Sequence, residues 1–224
     1  MKYTELDTPS LLVDQDIMMA NIEKMQKYAD EQGVALRPHT KTHKAPYLAK
    51  LQRDAGCKGI TVAKIGEAEV MAENGLDDIF IANEPVGDIK LKRILKLMET
   101  KQVSFGVDCP EHVEAADRIF AGSGKHAQVV VEIEVGENRS GIIEEDKFFE
   151  LLDSIKKAEN VDFLGIFSHE GHCYNAETME DCHEKFIVSQ KRTLHFAQLA
   201  KERGMECKRV SIGSTPSLLY HFDL

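Results

Sequence analysis

An α/β fold built as a (β/α) barrel is predicted by three observations. Short β-branched runs alternate with longer amphipathic stretches almost from end to end, the pattern of repeated βα units and a parallel sheet. No G-x-G-x-x-G follows the first strand. Polar residues instead gather at the ends of many strands, as they do where βα loops converge on one barrel mouth. A doubly wound open sheet is the rival arrangement.

The elements follow in order. An outlying strand at 10–13 leads through 14–16 into a helix that ends near Gln32-Gly33, where the glycine suits a helix C-terminal cap. Barrel strands are predicted at 35–39, 59–63, 78–83, 103–108, 128–135, 161–168 and 208–213. Between them, apolar residues recur at three and four over 65–74, 89–99, 111–120, 148–159 and a long stretch at 180–203, the period of helices packed on a sheet. Closing eight strands takes one more βα unit, and about 250 residues is usual, so the barrel is expected to be incomplete at its C-terminus. No linker, repeat or low-complexity tract divides the chain, and one domain over 1–224 is expected.

Composition bounds the function. An apolar content of 42% with 29% charged residues suits a globular chain with a real core. The net charge of −10 argues against nucleic acid or an anionic membrane as partner and favours a small molecule. No stretch approaches a spanning helix, and Met1-Lys-Tyr-Thr-Glu lacks the basic start and apolar stretch of a signal peptide, so a cytoplasmic protein is expected. Five widely spread cysteines without a C-x-x-C pair read as reduced thiols; Cys173, in a His-rich segment, is the one to watch.

Chemistry should sit where strands end. The strand at 35–39 runs into Arg37-Pro-His39-Thr40-Lys41-Thr42-His43-Lys44, a crowding of basic groups that suits an anion or a carbonyl. A lysine near other cations and partly desolvated retains neutral amine that can attack an aldehyde, which makes Lys41 the candidate; a solvated basic loop is the alternative, and Lys44 falls where the next helix should begin. The strand at 128–135 ends in Glu134-Val-Gly136-Glu-Asn-Arg139-Ser-Gly141, where glycines allow close backbone approach and Arg139 offers a planar donor fork, or else is a plain loop arginine. His169, His172 and Tyr174 follow the strand at 161–168. His-x-x-His is possible metal spacing, but no third ligand is near, and ring-facing or acid/base roles are favoured over a metal. Gly213-Ser214-Thr215-Pro216-Ser217, at a predicted helix start, forms either a phosphate cradle or a simple helix cap.

The sequence resembles the D-threonine aldolase and D-serine dehydratase family of fold-type III pyridoxal-phosphate (PLP) enzymes, whose barrel is related to that of alanine racemase. The resemblance rests on Thr8-Pro-Ser-Leu-Leu-Val-Asp14, Arg37-Pro-His-Thr-Lys-Thr-His-Lys44, Thr61-Val-Ala-Lys-Ile-Gly-Glu-Ala-Glu69, Asp78-Ile-Phe-Ile-Ala-Asn83, Gly136-Glu-Asn-Arg-Ser-Gly141 and Gly213-Ser-Thr-Pro216. It implies a PLP-binding (β/α)8 TIM-type barrel, truncated before its last strand and lacking the family's C-terminal β domain. It implies that Lys41 is the Schiff-base lysine, that Arg139 contacts the cofactor's phenolic oxygen, and that Gly213, Ser214 and Thr215 hold its phosphate. His39, His169 and Tyr174 would lie beside the cofactor or the substrate, with His169 or His172 as acid/base opposite Lys41. The family's divalent metal would be held outside this chain, by a His with a Cys or Asp of the C-terminal domain. The implied activity is a PLP-dependent lyase on β-hydroxy-D-amino acids, D-threonine aldolase first and D-serine dehydratase second, working as a homodimer. A non-catalytic PLP homeostasis protein and an amino-acid racemase are the other readings.

Overall fold

Six of the Val/Ile-rich runs become strands in the computed structural model, which describes residues 2–223. They are β1 (Ile60–Val62), β2 (Asp78–Ile81), β3 (Gln102–Val107), β4 (Ala127–Ile133), β5 (Val161–Ser168) and β6 (Arg209–Ser211), hydrogen-bonded in sequence order. Every pairing is parallel, so each return needs a crossover. The crossovers carry α3 (Ile65–Glu73), α4 (Asp88–Leu97), α5 (Pro110–Phe120), α6 (Glu145–Lys157) and α7 (Met179–Glu202), close to the predicted spans. Before the sheet come α1 (Gln15–Glu31) and α2 (Pro46–Asp54); after it comes the short α8 (Thr215–Leu219). The Asp14 carboxylate caps α1 by accepting from Ile17 N–H at 3.0 Å, and Gly33 past its end takes φ +68°. None of the described helices is long and apolar enough to cross a membrane.

Two cores hold the sheet. The larger lies between its outer face and the helices, with Ile60, Ile79, Phe105, Val129, Val131 and Ile166 meeting Leu91, Phe120, Phe148 and Phe196. The smaller is inside the curl, where Phe80, Val130 and Phe167 pack together. Phe80 on β2 and Phe167 on β5 meet edge to face with centroids 4.9 Å apart. Strands three places apart in a flat sheet would stand roughly 14 Å apart. The sheet is therefore curled into a half-barrel. Arg209 of β6 likewise reaches the Ser104 hydroxyl of β3 at 3.0 Å.

Two predicted strands do not form. The segment at 35–39 lies against β1, with Lys58 N–H donating to Leu36 O at 2.9 Å and Thr61 N–H to Pro38 O at 2.8 Å. Only one bridge, His39 with Thr61, has ladder geometry. Pro38 has no N–H to give, and Arg37 is committed to a bidentate pair with Asp78 at 2.8 Å for both bonds. The run at 10–13 takes no regular structure and pairs with no strand among the described residues, with Leu11 fully exposed, so the apolar pattern alone did not find it a partner strand.

Candidate active-site cleft

The strand ends open on a cleft of about 430 Å³, bounded by α1, the 34–39 segment, β6 and the start of α8. Lys41, His39, Arg139, His169, Tyr174, Gly213, Ser214 and Thr215, from four separate stretches of chain, all line it. His172 does not line it. Its ring lies over Gly136, where a Cβ would come within 2.8 Å of it, and its Nδ1 is buried without a hydrogen-bond partner among the described residues. The 3-10 turn Gly171–Asn175 that follows β5 thus sets His172 apart from the other candidates. A second hollow, of about 320 Å³, lies outside between α5 and α6 and holds none of the candidates.

Lys41 sits on a single 3-10 turn, Thr40–Thr42, rather than on a strand. The turn is anchored below by the buried Thr40, whose hydroxyl donates to Thr61 O at 3.2 Å, and above by the Lys41 N–H, which donates to His39 Nδ1 at 3.2 Å. The Lys41 side chain is exposed, not desolvated as expected. Burial, reinforced by the Lys41 charge, pushes His39 down to about 4, so its ring is neutral near pH 7 and Nδ1 is free to accept. His169 Nδ1 lies 3.1 Å from the Gly213 carbonyl. A carbonyl can only accept, so Nδ1 carries the proton and a neutral His169 has its lone pair on Nε2.

Arg139 rises from a loop built around one carboxylate. Glu134 Oε1 accepts from Gly136 N–H at 2.6 Å and Asn138 N–H at 2.8 Å. Partial burial opposes its ionisation, but these and the Glu137 N–H hold it below the usual carboxylate range. Gly141 closes the loop at φ +92°, where a Cβ would come within 3.0 Å of Glu132 Cγ. The guanidinium is half exposed, 3.2 Å from Glu137 on the rim and 3.9 Å from Glu132 below.

At the far side, Gly213 takes φ +154° and Ser214 caps α8. Ser214 turns inward: its N–H and hydroxyl meet Ser217 Oγ at 3.3 and 3.1 Å. Ser217 Oγ in turn donates to Glu170 Oε1 at 2.6 Å. The Glu170 side chain is fully buried, and its Oε2 has no partner among the described residues. The cradle is thus pinned from beneath by Ser217 of the same motif and by Glu170, to which the strand-end pattern assigned no role.

Also missed was a row of acids beneath Arg139. Glu132, on the inner face of β4, is buried and sits beside Glu84. Burial, then the neighbouring Glu84 carboxyl, push it up to about 8. Asp108, Cys109 and His112 bring three possible metal ligands within 4.8 Å. Asp108 already meets His112 at 3.1 Å and accepts the Gly141 N–H at 3.3 Å, while burial pushes the Cys109 thiol up and so keeps it protonated. None of the three lines the cleft, so they do not fit a metal serving it. All five cysteines are free, and burial pushes the Cys173 thiol to about 12, so it is inert.

Comparison with known proteins places this cleft in context. The model of the alanine racemase N-terminal domain matches residues 13–224. The D-threonine aldolase of Arthrobacter sp. is 32% identical over 212 residues, covering 95% of this chain and 56% of that protein. The D-threo-3-hydroxyaspartate dehydratase of Delftia sp. (strain HT23) is 33% identical over 218 residues, covering 96% and 57%. The crystal structure of D-threonine aldolase from Filomicrobium marinum superposes with a TM-score of 0.93 at 28% identity, covering 98% of this chain and 59% of that one. The chain therefore spans a little over half the length of these relatives.

Proposed function

Because this chain belongs to the alanine racemase N-terminal domain family, we propose that it is the cofactor-binding barrel of a PLP-dependent lyase acting on β-hydroxy-D-amino acids. Retro-aldol cleavage of D-threonine to glycine and an aldehyde is the first assignment. Loss of the β-hydroxyl, as in a D-serine dehydratase, is the second, favoured by a dehydratase relative of equal similarity. The observation that carries the reading is the convergence of an amine, a guanidinium, an imidazole and a glycine-serine-threonine turn on one cleft.

The donor set fits PLP. Lys41 offers the amine, and the Gly213 and Thr215 N–H groups at the start of α8, where Ser214 and Ser217 satisfy each other in the cap, suit a phosphate. Arg139 offers a charged fork for an anionic ring oxygen. Bound PLP supplies an aldehyde for the lysine and a ring that withdraws electrons from the substrate Cα. The chain's own residues do the rest. The neutral His39 accepts the Lys41 N–H and fixes the turn that presents the amine. His169, held by Gly213 O, presents Nε2 as a base able to take a proton from the substrate hydroxyl or Cα. Lys41 Nζ would offer a second proton acceptor at the same cleft. Tyr174, on the turn after β5, borders the substrate side.

The test is visible absorbance of the purified protein with PLP, borohydride reduction and mapping of the labelled peptide. A yellow protein labelled on Lys41, and a colourless Lys41→Ala variant, are expected. A label on another lysine, or none, overturns the assignment.

A further inference from the structure

The acids under the Arg139 loop are not needed by the reading above, yet they are costly to bury. Glu132 is 5% exposed and projects into the barrel from β4, above the Phe80, Val130 and Phe167 cluster. Glu84, on the loop after β2, comes to it across β3. Room for this exists because β3 carries Gly106 at the crossing, where a Cβ would stand 3.1 Å from Glu84 Oε1 and 3.2 Å from the Phe167 ring. Two ionised carboxylates in such a place repel strongly, and removing both from water has no compensation within the pair. The arrangement is stable when one proton is shared, leaving one net negative charge. One cation stands beside that charge: Arg139 Nη2 is 3.9 Å from Glu132 Oε1. Ser140 also hydrogen-bonds Glu132, and Asp108 and His112, at the end of β3 and the start of α5, are the other titratable groups at this face, with His112 close enough to feel Glu84.

We infer that Glu132, joined to Glu84 through a shared proton, is the positioning residue for Arg139: the single negative charge of the pair holds the guanidinium over the cleft against the pull of Glu137 on the rim. The value of this for catalysis rests on Arg139 being a cofactor contact, as proposed above. Glu137, at 3.2 Å, is the competing acceptor. Without the Glu132 carboxyl, Glu137 alone holds the guanidinium and the loop presents its fork to solvent. Gly141, where a Cβ would stand 3.0 Å from Glu132 Cγ, lets the loop backbone lie close over the same acid.

The pair can be tested in the protein without cofactor by NMR, with carboxyl-labelled glutamate and ¹⁵N-labelled arginine. One glutamate should titrate well above the rest and disappear in Glu132→Gln. The Arg139 Nε resonance should move with the same midpoint, and lose that movement in Glu132→Gln. An Arg139 signal indifferent to this titration overturns the inference, whether or not PLP binds. In the second arm, PLP affinity is read from absorbance. Glu132→Gln and Arg139→Gln should each weaken binding by about three- to tenfold, the double variant no more than Arg139→Gln alone, and Glu132→Asp should recover part of the loss. Additive losses would make Glu132 a merely structural residue. If the wild-type protein takes up no PLP, the cofactor reading fails by itself and the NMR arm still decides the pair.

Discussion

Ser217→Ala tests the support beneath the Gly213 turn. The hydroxyl donates to Glu170 Oε1 at 2.6 Å and lies 3.3 Å from Ser214 N–H, so its removal strips both groups at once. Glu170 is fully buried with its second oxygen already without a partner among the described residues, and a buried acceptor that loses its hydrogen bond costs about 1 to 3 kcal/mol. Loss of a helix N-terminal hydrogen bond costs about 1 kcal/mol. Because one hydroxyl serves both, the effects overlap, and about 3 kcal/mol in all is expected. Urea unfolding followed by far-UV circular dichroism measures it. Repeating the change in a Glu170→Gln background removes the carboxylate-specific share, so Ser217→Ala there should cost at least about 1 kcal/mol less. PLP affinity should fall in parallel, because Gly213 also accepts from His169. A loss below 1 kcal/mol, or the same loss in both backgrounds, would refute the argument that Ser217 satisfies a buried acid.

Two further outcomes follow from burial and backbone geometry. His39 is lowered from about 6.5 to about 4, so the folded chain binds fewer protons than the unfolded one and stability falls on acidification through that window. The full difference is worth about 3 kcal/mol, nearer 1 to 2 after screening of a partly exposed ring, and a His39→Gln variant should flatten the melting-temperature profile there. Glu132 has the opposite sign: raised from 4.5 to about 8, its contribution is complete below about 4.5 and is lost as pH rises through 8, so Glu132→Gln should melt relatively higher at pH 9 than at pH 6. Gly165→Ala should destabilise by about 3 kcal/mol or more: φ is +143° at the irregularity opposite Val129 and Val130, and a Cβ there collides with the Arg209 carbonyl of β6. A thermal melt within about 1 kcal/mol of wild type would contradict that packing.

Much of the fold was legible because parallel strands buried on both faces are nearly continuous apolar runs, and their helices keep the three-and-four period. β1 to β6 and α3 to α7 lie close to where those periods put them. The misses came where a period carries no information about partners. Leu11, Leu12 and Val13 read as a strand, yet nothing described pairs with them, and Pro38 reduces its segment to one bridge. In the cleft, the basic cluster at Lys41, Arg139 between its glycines and the Gly213 turn stood out because each is a local anomaly of composition. His172 shared that signal with His169, but the 3-10 turn Gly171–Asn175 sends it over Gly136 instead.

The chain by itself determined the order of βα units, the helix end at Gly33, and the basic, glycine-rich strand ends that mark a family and a cofactor class. Only the tertiary structure decided that Glu84 meets Glu132, that Ser217 reaches Glu170 47 positions away, and that His39 is neutral. The reason is physical. Backbone preference and periodicity act over a few neighbouring residues, whereas desolvation and Coulomb energy depend on distances that exist only once the curl of the sheet has brought remote strand ends together.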